Sequence, residues 1–296
     1  MPRLHLLAPT LFLTALPVLA GPLTSRTPYH GASDVAARPG DAGLAEAWFS
    51  HSAGLQKAWE HGEVVLELRR DGLWQRVGTA RTDGEGRVVF PLKAPEAPGR
   101  YALRFTAAVK EGPQVAEAVL HVLAPGTAVT VFDVDGTLTT SDAENLKDYA
   151  RRLLRHPKAA GPKLRDGAVE AVRRAAAQAP VVYLTGRAPW LARPTRAWLA
   201  DHQLPEGLVL LMPESRDILP TEARVGRAKT ERLKALQALG LTIRAAYGNA
   251  RTDIHAYAAV GVPKDRTFIL GKHGGEEGTV KLGEAFPAGE GPGRGH

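Results

Sequence analysis

The chain has no cysteine, only two methionines, and aromatic side chains at 6% of its 296 positions. Without thiols it has no disulfide staple, no cysteine metal site and no thiol nucleophile, so its stability must come from the core. It also lacks an unbroken apolar run of the ~20 residues that a membrane-spanning helix needs. Leu4 to Ala20 is mostly apolar, but Pro9 and Pro17 interrupt it. With Arg3 ahead of it and the small residues of "PVLAG" behind, residues 1–20 read as a signal peptide cleaved after Ala20, the alternative being a membrane anchor. An exported chain, periplasmic or secreted, is the expectation. A nucleic-acid signature is missing too. The basic residues form scattered pairs (Arg69–Arg70, Arg151–Arg152, Arg173–Arg174) without interleaved aromatics, so no nucleic acid partner is expected.

A hydrophobic content of 44% with 23% charged residues is enough for a sizeable core in one large or two modest domains. The formal net charge of +7 favours an anionic partner, such as phosphate esters or an acidic lipid surface, with solubility as the plain alternative. Residues 21–62 are rich in Ala, Gly, Ser and Pro and read as an irregular segment with a short helix around Leu44 to Phe49. From Glu63 short alternating runs ("EVVLELRR", "LWQRVGTAR", "RVVF", "RYALRFTAAV", "VAEAVLHVL") are separated by Gly-rich turns, which predicts a small immunoglobulin-like β-sandwich over 63–123. "APGT" at Ala124 to Thr127 is the linker.

Beyond it strands alternate with helices: "AVTVFDVDG", "PVVYLTGR", "GLVLLMP", "IRAAYGN" and "RTFIL" as strands, and helices over "AENLKDYARRLLRH", "GAVEAVRRAAAQ", Trp190–Ala200, Ala228–Leu239 and Thr252–Val260. The expected fold class over 127–283 is α/β, a doubly wound parallel sheet, followed by a flexible tail over 284–296. Asp133, Thr185 and Asn249 fall at three strand ends, where ligands of such sheets bind.

"VFDVDGTLTTSD" carries the chemistry. Asp and Gly form turns readily, so a plain turn is one reading. A calcium loop is another, with Asp133, Asp135, Thr137 and Glu144 as ligands, but it needs a glycine where Leu138 stands and a helix before it. The third makes Asp133 a nucleophile that attacks phosphorus and Asp135 a general acid/base. A cation, Mg²⁺ by its preference for oxygen ligands, would offset the charge of the two carboxylates. A neighbouring strand end in "VVYLTGR" offers the Thr185 hydroxyl and the Gly186 N–H to a phosphate; a helix cap is the alternative role for Thr185.

Asp-x-Asp-Gly-Thr after a strand resembles the first motif of the haloacid-dehalogenase (HAD) phosphatase superfamily. "TGR" is similar to that superfamily's form, which extends phosphate contact to Arg187. Lys229 stands where it keeps its lysine, with Lys234 as rival, and "YGNARTD" supplies Asn249 and Asp253. From Thr127 to Leu270, "DVDGTLTTSD", "LPEGLVLLMP" and "AAYGNARTDIHAYAAVGVP" resemble the catalytic domain of lipins, Mg²⁺-dependent phosphatidate phosphatases. The resemblance implies Asp133 as nucleophile, Asp135 as acid/base, Lys229 as charge clamp, Thr185, Gly186 and Arg187 on the phosphate, and Asp133, Asp135, Asn249 and Asp253 around Mg²⁺. It implies a HAD domain without a large cap, behind an immunoglobulin-like one, that hydrolyses phosphatidate to diacylglycerol through an aspartyl-phosphate. The alternatives are a phosphomonoesterase for soluble substrates, a non-catalytic phosphatidate-binding module, and partner binding through the sandwich. Trp190 and Leu191 follow "TGRAP" and are assigned either to an apolar rim touching acyl chains or an anionic membrane, or to core packing. Trp198 is read as core.

Overall fold

The computed structural model describes residues 30–50, 58–109, 112–140, 161–212 and 221–287. The expected signal peptide, the helix over "AENLKDYARRLLRH" and the end of the expected tail lie outside the described residues. Among those described, no helix is long and apolar enough to cross a membrane.

Eight strands build the N-terminal half: β1 (Gly31–Ala32), β2 (Val35–Ala37), β3 (Ala42–Trp48), β4 (Glu63–Arg70), β5 (Leu73–Arg81), β6 (Arg87–Lys93), β7 (Gly99–Val109) and β8 (Gly112–Val122). They form a three-stranded sheet, β1-β3-β6, facing a five-stranded one, β2-β8-β7-β4-β5. In β4, Val64, Leu66 and Leu68 point inward on every second residue, as a strand with one solvated face requires. Asp71 and Gly72 join β4 to β5, both with positive φ (51° and 80°), the conformation whose twist suits a two-residue hairpin. Phe90 of one sheet meets Phe105 of the other with ring centroids 5.8 Å apart.

Six more strands form one parallel sheet: β9 (Ala128–Asp133), β10 (Val181–Leu184), β11 (Leu208–Leu210), β12 (Thr242–Gly248), β13 (Thr267–Ile269) and β14 (Val280–Lys281), in the order β11-β10-β9-β12-β13-β14. Two helices, α1 (Ala168–Ala176) and α2 (Ala192–Asp201), pack in the cluster with Phe132 and Tyr183 on one face. On the other, α3 (Glu222–Ala238) and α4 (Arg251–Ala259) pack in the cluster with Val129, Val131 and Val182. β9 is apolar but for Thr130 until Asp133, and buried from Val129 onward, because both its faces are covered.

The expected fold class, a HAD-like doubly wound α/β sheet with a small immunoglobulin-like sandwich before it, is corrected. Among the described residues fourteen strands in three sheets stand against four α-helices, and the chain is β-rich. The difference arises partly in the stretch read as irregular, where β1, β2 and β3 lie and where β3 replaces the helix expected around Leu44 to Phe49. The inward positions of β3 are Ala45 and Ala47, both fully buried, and alanine marks a buried face too weakly for alternation to be read.

The sandwich is riveted to the parallel sheet. Asp34, 6% exposed, accepts from Val119 N (2.8 Å), Val209 N (3.0 Å) and Arg196 Nη2 (2.6 Å), joining β8, β11 and α2. Gly31 lies so close to the turn Pro189–Leu191 that an added Cβ would stand 2.0 Å from the Pro189 carbonyl oxygen. Trp190 is 5% exposed, so of the two roles assigned to it the structure shows core packing and not an apolar rim: its turn is packed under β1 and β3. Asp34→Ala would leave two backbone N–H groups and a guanidinium without their acceptor, and should lower unfolding free energy by about 3–5 kcal/mol in denaturant titration. Trp190→Ala should cost about 3–5 kcal/mol by the same measurement, as a large-to-small change in a packed interior.

Candidate functional site

β9 lies between β10 and β12, so the chain leaves it toward both edges of the sheet and a crevice opens at the carboxyl ends. Asp133 ends β9 at 1% exposure. The turn Val134–Leu138 carries Asp135 back toward the crevice, with Gly136 at φ 84°. A Cβ on Gly136 would fall 2.3 Å from Asn249 Nδ2, so both backbone angle and space require glycine. Arg165 braces the turn from outside, donating to the Gly136 carbonyl (2.6 Å) and the Thr137 carbonyl (2.9 Å).

Two charge clusters share the crevice. In the first, Lys229 of α3 donates to Asp133 Oδ1 (2.5 Å) and Asp253 Oδ1 (2.6 Å), all three side chains being buried. The second oxygen of Asp253 accepts from Asn249 N (3.0 Å) and Ala250 N (3.1 Å), so this residue both caps α4 and holds the lysine. Thr137 Oγ1 donates across to Asp133 Oδ2 (3.0 Å) or Asn249 Oδ1 (3.1 Å). In the second cluster, Arg187 forks onto Asp135 Oδ1 through Nε (3.0 Å) and Nη2 (2.7 Å), and its Nη1 reaches Thr195 Oγ1 (3.0 Å). Thr185 Oγ1 donates to Asp135 Oδ2 (2.7 Å). Gly186 is half-buried beside them. Lys234, the rival lysine, is exposed.

Electrostatics follow from two carboxylates sharing one lysine. Burial first, then the Asp253 carboxylate, push Asp133 up to about 8 against the opposing pull of Lys229. For Lys229, burial disfavours the charge, but Asp133 and Asp253 outweigh it and keep the ammonium protonated. One proton is therefore retained on the carboxylates around neutral pH.

The structure thus brings together Asp133, Asp135, Thr185, Arg187, Lys229, Asn249 and Asp253. The expected Mg²⁺ set is oxygen-rich, the kind of donor Mg²⁺ takes. In the arrangement described, the carboxylates accept from Lys229, Arg187, threonine hydroxyls and backbone N–H groups. Among the described residues no three or more acid, histidine or cysteine side chains converge on a metal position. Sequence reasoning missed the roles of Thr137, which sits in the quoted motif, and of Arg165, for which there was no local signal.

These residues sit inside a recognised stretch. Residues 130–271 match the family model described as PITM 1-3, LNS2 domain. The chain is 32% identical over 211 residues to membrane-associated phosphatidylinositol transfer protein 1 of Homo sapiens, covering 70% of this chain and 15% of that protein. Protein retinal degeneration B of Drosophila melanogaster is 28% identical over 250 residues, covering 83% of this chain and 18% of that protein. The chain therefore spans less than a fifth of these relatives. Among solved structures, the Pnkp1/Rnl/Hen1 complex is 18% identical at a TM-score of 0.36, covering 54% of this chain and 47% of that one, a likeness too small to bear on the fold.

The resemblance to lipin-type HAD phosphatases is corrected by these matches, and the expectation of a phosphoric monoester hydrolase with it. The human relative bears the name of a phosphatidylinositol transfer protein, not of an enzyme. Lys229 meets Asp133, the contact expected of the charge clamp, and Arg187 meets Asp135.

The raised Asp133 carboxyl sets a direction for pH. Between its ordinary value of 3.8 and about 8 the folded chain keeps a proton that the unfolded chain has lost, so stability falls as pH rises through that window. Denaturant midpoints at pH 5, 7 and 9 should decline in that order, and Asp133→Asn should flatten the trend.

Proposed function

We propose that the chain is a non-catalytic module that binds the phosphate headgroup of an anionic phospholipid, phosphatidate foremost, at the strand-end crevice. The observation that carries this reading is the Arg187 fork on Asp135, with Thr185 on the other oxygen of the same carboxylate. A guanidinium fork and a hydroxyl arranged around one oxyanion match phosphate as they match carboxylate. A headgroup would enter beside the half-buried Gly186, take the N–H of that residue and the Thr185 hydroxyl, and compete with Asp135 for Arg187. Asp133 and Asp135 have no chemical step in this reading. Asp133 holds Lys229 and Asp135 aims Arg187 while the crevice is free.

The names of the relatives, membrane-associated phosphatidylinositol transfer proteins, support a phospholipid as partner. The net charge of +7 supports approach to an anionic surface. In this reading Arg187 supplies the cation that meets the phosphate, so the interaction is expected to survive chelation of divalent cations.

Sedimentation with vesicles of phosphatidylcholine, with and without phosphatidate, tests the reading. Phosphatidate should raise binding at least about tenfold, salt should weaken it, and no inorganic phosphate should appear. Thr185→Ala should reduce the phosphatidate preference by about three- to tenfold through loss of one hydrogen bond to a charged group. Equal binding to both vesicles, or release of phosphate, would overturn it.

A further inference from the structure

A cavity ringed by arginines lies toward the opposite end of the parallel sheet. Between α1 and β14 a cavity of about 250 Å³ opens, with Tyr247, Phe268 and Phe286 among its walls and Arg174, Arg244 and Arg266 around it. Arg266 stands immediately before β13, so the cavity lies toward the amino ends of these strands, away from Asp133. Arg244 sits at a register shift between Ile243 and Ala245 of β12, where the neighbouring residues pair with β9 and Arg244 does not. A bulge of this kind re-aims a side chain, and here it points an arginine at a cavity.

The three arginines have no carboxylate partner among the described residues. Arg174 donates only to the Pro287 carbonyl, at 3.3 Å, while Arg244 and Arg266 are exposed. All three act on the Tyr247 hydroxyl, which burial pushes up and their positive charges pull back. Three like charges held around one apolar hollow repel one another, and a surface built for solubility would intersperse acids among them. The aromatic floor is rigid: Tyr247 stacks between Phe132 (4.4 Å) and Phe268 (4.8 Å) in the sheet. Phe286 closes it at 4% exposure.

We propose that this cavity binds a small amphipathic anion, an organic phosphate or carboxylate carrying one planar apolar group. The anionic end would lie among Arg174, Arg244 and Arg266 with the Tyr247 hydroxyl as a further donor, and the apolar group against Phe268 and Phe286. The volume admits one small ring or a short chain and excludes a diacyl lipid, so the ligand is a soluble one.

Phenyl phosphate serves as the probe, titrated calorimetrically into the full chain. Binding should weaken at least about tenfold in Arg244→Ala/Arg266→Ala, the loss of two charge-assisted contacts, and should weaken with added salt. Inorganic phosphate should bind at least about tenfold more weakly than phenyl phosphate, because it gains nothing from the apolar floor. Thr185→Ala, which alters the strand-end crevice, should leave phenyl phosphate affinity within about twofold. A loss in Thr185→Ala with none in the arginine variant would place the probe in the crevice and overturn the proposal. Equal affinity for inorganic phosphate would overturn the amphipathic class. Displacement of phenyl phosphate by phosphatidate vesicles would overturn the assignment to a soluble ligand. Both arginines are exposed and the double variant should keep the wild-type melting temperature; if it does not, Arg266→Ala alone gives the same reading with a smaller loss.

Discussion

A buried ammonium is tolerable only when its charge is met inside the protein, and Lys229 meets that condition through Asp133 and Asp253. The crevice depends on this contact. It joins the end of β9, the middle of α3 and the first turn of α4, three elements that the sheet alone would leave adjustable. From Asp253 the order passes to the N–H groups of Asn249 and Ala250, from Asn249 to Thr137, and from Thr137 back to Asp133. The ring closes around Gly136, where a side chain would strike Asn249. Removing one partner of such a buried pair typically costs about 3–5 kcal/mol because the charge left behind has no solvent to turn to.

The second cation is held from outside the sheet. Arg187 reaches Thr195 on α2 while Arg196 of the same helix reaches Asp34 and the Ala32 carbonyl in the sandwich. One helix thus braces the crevice arginine on one side and the N-terminal strands on the other. The turn Pro189–Leu191, packed beneath Gly31, continues directly from the Thr185–Arg187 loop. The sandwich therefore acts as a buttress for the loop, a role consistent with a site in which an arginine exchanges one oxyanion for another without the loop moving.

Charge is segregated along the parallel sheet. At the carboxyl ends three carboxylates and two cations, with one retained proton, come close to neutrality. At the amino ends three arginines stand without a carboxylate partner among the described residues. The two ends differ in their physics: a hydrogen-bonded fork with its charge already balanced at one, and arginines over an aromatic floor at the other.

Local pattern alone determined a good deal. The alternation in "EVVLELRR" and the apolar run ending at Asp133 follow from side-chain direction and burial, and they place Asp133, Thr185 and Asn249 at strand ends without any knowledge of the partners. Glycine at 136 was likewise legible as a turn. What sequence could not determine is which charges meet. Asp135 reads as an acid/base on its own, and its partner Arg187, fifty-two residues later, is seen only in the fold. Lys229 and Lys234 are equivalent on paper, and only the packing of α3 buries one of them. β3 hid in alanines, Trp190 took its burial from β1 and β3 rather than from its own helix, and Arg244 owes its aim to a register shift between strands. All of these are set by contacts between segments far apart in the chain, and a linear pattern carries the period of an element but not the identity of what packs against it.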